Sequence, residues 1–154
     1  GPHPVLVLDD AEGLRIGVLD MLRRLTAANL DEQDHFSVVL AGTDELLHTL
    51  QAPQLAPLRT RVGFAWQLRP YGLEDARQYV AYQRQRAAVD AKVFSDQAVK
   101  RIFQVSRGYP RSINQLALQA LIQAVIAGRD TVDGDFMHQV CKSHPLYQSV
   151  LGAA

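Results

Sequence analysis

The chain has 154 residues, 47% of them hydrophobic and 21% charged, the composition of an ordinary globular protein with one good core or two small ones. Sixteen Lys and Arg balance sixteen Asp and Glu, so no global positive field marks it out for nucleic acid. A single cysteine, Cys141, excludes an intrachain disulfide and points to a reducing cytoplasm. No stretch has the length of a membrane span, and no basic-apolar signal segment opens the chain.

The first predicted element is a strand over residues 4–8, Pro-Val-Leu-Val-Leu, whose unbroken apolar run suits burial on both faces of a parallel sheet. It ends in Asp9-Asp10, and carboxylates just past such a strand lie where open α/β sheets bind ligands. Only Gly1-Pro2-His3 precedes it, so no glycine-rich loop with its lysine comes first. The chain therefore reads as the second half of a nucleotide-binding machine, with Gly1-Pro2 as the scar of a tag protease.

Apolar residues at helical spacing predict a helix over 13–29, and residues 30–35 form a polar loop. Residues 36–41, Phe-Ser-Val-Val-Leu-Ala, form a second buried strand, followed by a short helix whose first turn carries Asp44 and Glu45. Pro53 closes that helix, and residues 54–61 read as a short helical or turn segment. Val62, Phe64, Trp66 and Leu68 alternate with period two and predict a third, half-buried strand ended by Pro70.

Beyond Pro70 the pattern is helical throughout. One helix is predicted over 73–88, and a second is capped by Ser95 and stopped by Gly108. A third starts at Pro110 and ends at Gly128, and a last one begins at Asp133 or Asp135. These elements divide into a strand-bearing domain (1–70), a helical domain (71–141) and a tail (142–154). Cys141 follows His138 on the last helix, where a buried structural thiol is expected, and two residues make no metal site.

In this order the segments VLVLDDAEGL, VVLAGTDELLHTLQAPQLAPLRTRV, FAWQLRPYGLEDARQYV and FSDQAVKRIFQVSRGYPRSINQLALQALIQAV closely resemble AAA+ ATPases. Among those, the chain looks most like the branch shared by general secretion pathway A ATPases of type II secretion and the helper ATPases of bacterial transposition. The resemblance implies an α/β fold: a partial parallel sheet (strands 3, 4 and 5 of the family order 5-1-4-3-2) followed by an all-α helical lid. Strand 1 and the Walker A loop are not in this sequence. Strands 3 and 4 are therefore expected to pair in parallel, with the third strand sliding beside strand 4 or pairing with another molecule.

Residue by residue, Asp9 matches the Walker B acid that holds Mg2+, and Asp10 stands where the family carries the glutamate that polarises the attacking water. Aspartate is one methylene shorter, and placement errors of about 1 Å can cost on the order of 10²-fold in rate. Ala11-Glu12 departs from the family's Ala-His or Ala-Gln. Thr43 matches sensor 1 and is equally a natural helix N-cap. Arg61 aligns with the trans-acting arginine finger, with Arg59 as understudy; such a guanidinium can contribute about 10³–10⁵ in rate. Gly108-Tyr109-Pro110-Arg111 resembles sensor 2, with Arg111 directed at the nucleotide cleft it would share with the acids, and Asn114 continues that motif.

The implied function is an ATP- and Mg2+-dependent regulator that self-associates into a ring or filament, acting with DNA and a transposase. The alternatives are a secretion or pilus-assembly ATPase with secretion-system partner proteins, and a non-catalytic interaction module. Lacking Walker A, this chain alone is expected to bind ATP weakly and to be inactive.

Overall fold

The computed structural model describes residues 3–27, 36–145 and 147. The chain divides into two compact units, Gly1–Gln67 and Leu68–Ala154. In the first, strands β1 (Val5–Leu8) and β2 (Ser37–Leu40) pair in parallel with Val5 opposite Ser37 and Leu8 opposite Leu40. A single 3-10 turn at Ala11–Gly13 and helix α1 (Ile16–Ala27) follow β1. After β2 come α2 (Asp44–Leu50), a second 3-10 turn at Pro53–Leu55 and α3 (Ala56–Arg59). The core is a leucine cluster: Leu19, Leu55 and Leu58 are buried, with Leu14, Leu22, Leu40 and Leu50 packed around them. Burying each such side chain contributes about 1.5–3 kcal/mol.

Parallel pairing of the two strands matches the expectation, while three details differ. Residues 62–68 form no strand and pair with nothing among the described residues; Phe64, Trp66 and Leu68 are 80%, 78% and 87% exposed. Period-two alternation specifies which face a strand would bury, but a strand exists only where it joins a ladder, and this segment joins neither edge of the β1–β2 pair. The alternation survives locally: the Phe64 and Trp66 rings lie parallel within 4°, centroids 6.3 Å apart, and Gln67 Nε2 donates to Asp44 Oδ1 at 3.1 Å. Secondly, β1 is not covered on both faces, since Val5 and Val7 are 56% and 60% exposed. The leucine cluster covers β2 through Leu40 and leaves β1 outside it. Thirdly, α1 begins at Ile16 rather than residue 13, because the 3-10 turn absorbs Ala11–Gly13. The predicted polar loop at 30–35 lies outside the described residues.

The described residues of the second unit form four helices, α4 (Leu73–Arg86), α5 (Asp96–Ser106), α6 (Pro110–Ile126) and α7 (Gly134–Ser143). Its core runs through Val80, Ile102, Ile113, Leu116, Met137 and Val140. Local capping chemistry sets the boundaries. Ser95 Oγ accepts the Ala98 N–H at 3.1 Å, and Asp133 Oδ1 accepts the Phe136 N–H at 2.8 Å, which decides for Asp133 over Asp135 as the start of α7. The loops before α5 and α7 are tied by one parallel bridge, with the Val132 N–H donating to the Val93 carbonyl at 2.7 Å and the Ser95 N–H to the Val132 carbonyl at 3.0 Å.

Candidate functional site

Because β1 and β2 are parallel and in register, both leave the sheet at the same end. The ladder runs one step beyond the strands: the Ala41 N–H donates to the Leu8 carbonyl and the Ala11 N–H to the Ala41 carbonyl, each at 2.9 Å. Asp9, Asp10, Glu12, Gly42 and Thr43 are thereby collected at the carboxyl end, the place where such sheets bind ligands. Asp9 Oδ1 accepts the Asp10 N–H at 3.0 Å. Asp10 has φ 51° and ψ 40°, the left-handed conformation that aspartate tolerates better than most side chains. Its side chain makes no cap bond to the turn it precedes, and the residue is exposed. Among the described residues no cluster of three or more potential metal ligands occurs. Carboxylate oxygens such as those of Asp9 and Asp10 are of the donor type that Mg2+ takes, one or two at a time, with phosphate and water completing its shell.

Glu12, unassigned by sequence reasoning, reaches across this end: its Oε2 accepts the Thr43 N–H at 3.3 Å. Backbone N–H groups, its own first and that of Thr43 after it, hold its carboxyl below the usual glutamate range. Thr43 occupies the N-cap position of α2 with extended backbone, yet its side chain makes no cap bond. The hydroxyl is exposed at the end of β2.

The two arginines after α3 differ in situation. Arg59 Nη1 donates to the Leu50 carbonyl at 2.6 Å and to the Ala52 carbonyl at 3.0 Å, satisfying groups that the end of α2 leaves open. Arg61 is exposed and has no hydrogen bond or ion pair from its side chain among the described residues.

In the helical unit, the α5–α6 junction is built on backbone geometry. Arg107 and Gly108 take φ 53° and 78°, and the Gly108 carbonyl accepts the Tyr71 N–H at 3.0 Å. A Cβ on Gly108 would lie 2.1 Å from the Tyr71 carbonyl oxygen. Pro110 opens α6 in its first turn, and Arg111 follows it, exposed. Asn114 Nδ2 donates to the Tyr79 hydroxyl at 2.9 Å, so that residue braces α6 against α4. Cys141 is fully buried, and burial pushes its thiol up to about 11, as a structural cysteine requires.

Over 136 residues, 88% of its length, the chain is 35% identical to general secretion pathway protein A of Aeromonas hydrophila. The chain is a relative of the AAA+ ATPases of the general secretion pathway A type. It spans 25% of that protein's length. No protein-family model matches it. Among solved structures it is similar to the Holliday junction branch migration motor RuvB of Thermotoga maritima, with 22% identity, TM-score 0.70, and coverage of 90% of this chain and 43% of that one. A substituted form of the same motor gives 22% identity and TM-score 0.70, with 44% of it covered. At that identity the likeness is one of fold: a small parallel sheet with a helical lid. Among the described residues no helix is long and apolar enough to cross a membrane.

Proposed function

We propose that this chain is part of an ATP-driven, self-associating AAA+ ATPase of the secretion pathway, supplying its metal acid, its phosphate sensor and the arginine that completes a neighbour's site. The observation that supports this most strongly is the convergence of Asp9, Asp10 and Thr43 at one end of two parallel strands, in a chain 35% identical to a secretion-pathway protein. When bound, Mg2+ would neutralise phosphate charge from Asp9. Asp10 carries the free carboxylate that orients an attacking water. Thr43 offers to the same region a hydroxyl that makes no cap bond to α2. Of the two arginines, Arg61 suits a role in trans because it is exposed and unpaired, whereas Arg59 is committed to carbonyls of its own loop. Arg111 is the corresponding cation of the helical unit.

The sequence contains no G-x-x-x-x-G-K-[ST] loop. The amides and lysine that cradle phosphates must therefore come from residues other than these. Steady-state ATP hydrolysis by the complete ATPase tests the reading: Asp9→Ala and Arg111→Ala should each lower kcat by about 10²-fold or more. Unchanged turnover in Asp9→Ala would dismiss it. The client is favoured as secretion machinery by the relative's name alone. A transposase and DNA remain the second reading, resting on the same ATPase resemblance. Cross-linking in cells followed by identification of the captured partner separates them: a secretion-pathway protein supports the first, a transposase the second.

A further inference from the structure

Glu12 is the side chain that crosses from the exit of β1 to the exit of β2. Its Oε2 receives the Thr43 N–H at 3.3 Å, and a Cβ on Gly42 would lie 2.5 Å from that same oxygen and 3.3 Å from the Glu12 backbone nitrogen. Gly42 thus leaves the space that the carboxylate fills, and the carboxylate holds the amide that follows the glycine. One is a hydrogen bond and the other a steric vacancy, both made at the same Glu12 oxygen, and together they describe one interlock between the exits. We propose that Glu12 is a positioning residue, which fixes the Gly42-Thr43 loop relative to the acids of β1 and so sets where the Thr43 hydroxyl stands. This rests on the reading that Asp9 and Thr43 face the phosphates of ATP. The lowered carboxyl of Glu12 accords with it, because an ionised acceptor makes the stronger bond to an amide.

The interlock can be tested without nucleotide on the 154-residue chain. In amide spectra recorded while acidifying from about pH 7 to about pH 3, the Thr43 N–H should shift with one midpoint below the ordinary glutamate value of 4.5. Glu12→Gln should abolish that titration. A Thr43 amide that does not titrate, or that titrates equally in Glu12→Gln, overturns the proposal. In the complete ATPase, Glu12→Ala should lower kcat about 10- to 100-fold, with KM for ATP within about twofold. Glu12→Gln keeps an oxygen that can accept the amide and should stay within about threefold of the parent. Equal losses in the two variants, or no loss in Glu12→Ala, also overturn it. A parent that hydrolyses no ATP overturns the nucleotide reading and Glu12's part in it, while the Thr43 titration still decides whether the contact exists.

Discussion

Replacing Gly108 with alanine should destabilise the helical unit well beyond the cost of an ordinary glycine substitution. Two terms are separable. The residue has φ 78°, where an L side chain costs about 1–2 kcal/mol. The added Cβ would also stand 2.1 Å from the Tyr71 carbonyl oxygen, and about 3.0 Å from the Tyr71 backbone N and C. These are backbone atoms, so no flexible tip can swing aside, and relief requires parting the segment before α4 from the α5–α6 junction. That motion breaks the hydrogen bond from the Tyr71 N–H to the Gly108 carbonyl, about 1 kcal/mol more. The sum is about 2–3 kcal/mol. Gly128 is the internal control: it too has positive φ, 63°, but nothing lies within 4 Å of its would-be Cβ, so Gly128→Ala should cost about 1 kcal/mol. Urea unfolding followed by far-ultraviolet circular dichroism, dominated by α4 to α7, measures both. Equal midpoints for Gly108→Ala and Gly128→Ala would refute the close approach as the reason for glycine here.

Ser95→Ala removes the acceptor of the Ala98 N–H and should cost about 1 kcal/mol by the same urea assay; a change below about 0.3 kcal/mol would count against the cap. Asp96, beside Arg77 and Lys100, and Asp133, which accepts the Phe136 N–H first and neighbours Arg129, are both held below the ordinary 3.8. Their contribution is full above 3.8 and is lost as pH falls through the lower folded values, so helicity should hold at mild acidity and fall only below that point. The Cys141 thiol is raised by burial from 9.0 to about 11, so its contribution is full below 9.0 and fades as pH rises towards 11. At neutral pH a thiol reagent should label it only at the rate of unfolding; rapid labelling would show it accessible. Trp66 should be quenched by acrylamide as fast as a free indole, because it is 78% exposed; protection would mean that the segment is covered by another molecule.

The helical unit was legible because its signals are local. Ser95, Asp133, Gly108 and Pro110 each act within a few residues of where they stand, and the structure uses them as caps, stop and start. The first two strands were legible from their apolar runs, and their parallel pairing followed from the family resemblance. The third strand was not, because alternation at Val62, Phe64, Trp66 and Leu68 says nothing of whether an edge is present to receive it. Nor could the sequence show how the two aspartates would be oriented after β1. A left-handed Asp10 turns its amide to Asp9 and leaves its own carboxylate outward, a matter of backbone conformation. Glu12 escaped notice for a related reason: its partner lies 31 residues away and offers a backbone amide, which has no signature in side-chain type.

The most direct test of the account is complementation between two inactive subunits of the complete ATPase, Asp9→Ala and Arg61→Ala. If Arg61 acts on the neighbour's nucleotide, each variant alone is inactive. An equal mixture regains about a quarter of wild-type turnover, the fraction of interfaces that pair an intact Asp9 with an intact Arg61 in a head-to-tail assembly. A mixture as inactive as its components, or an Arg61→Ala subunit that hydrolyses ATP normally by itself, would contradict it.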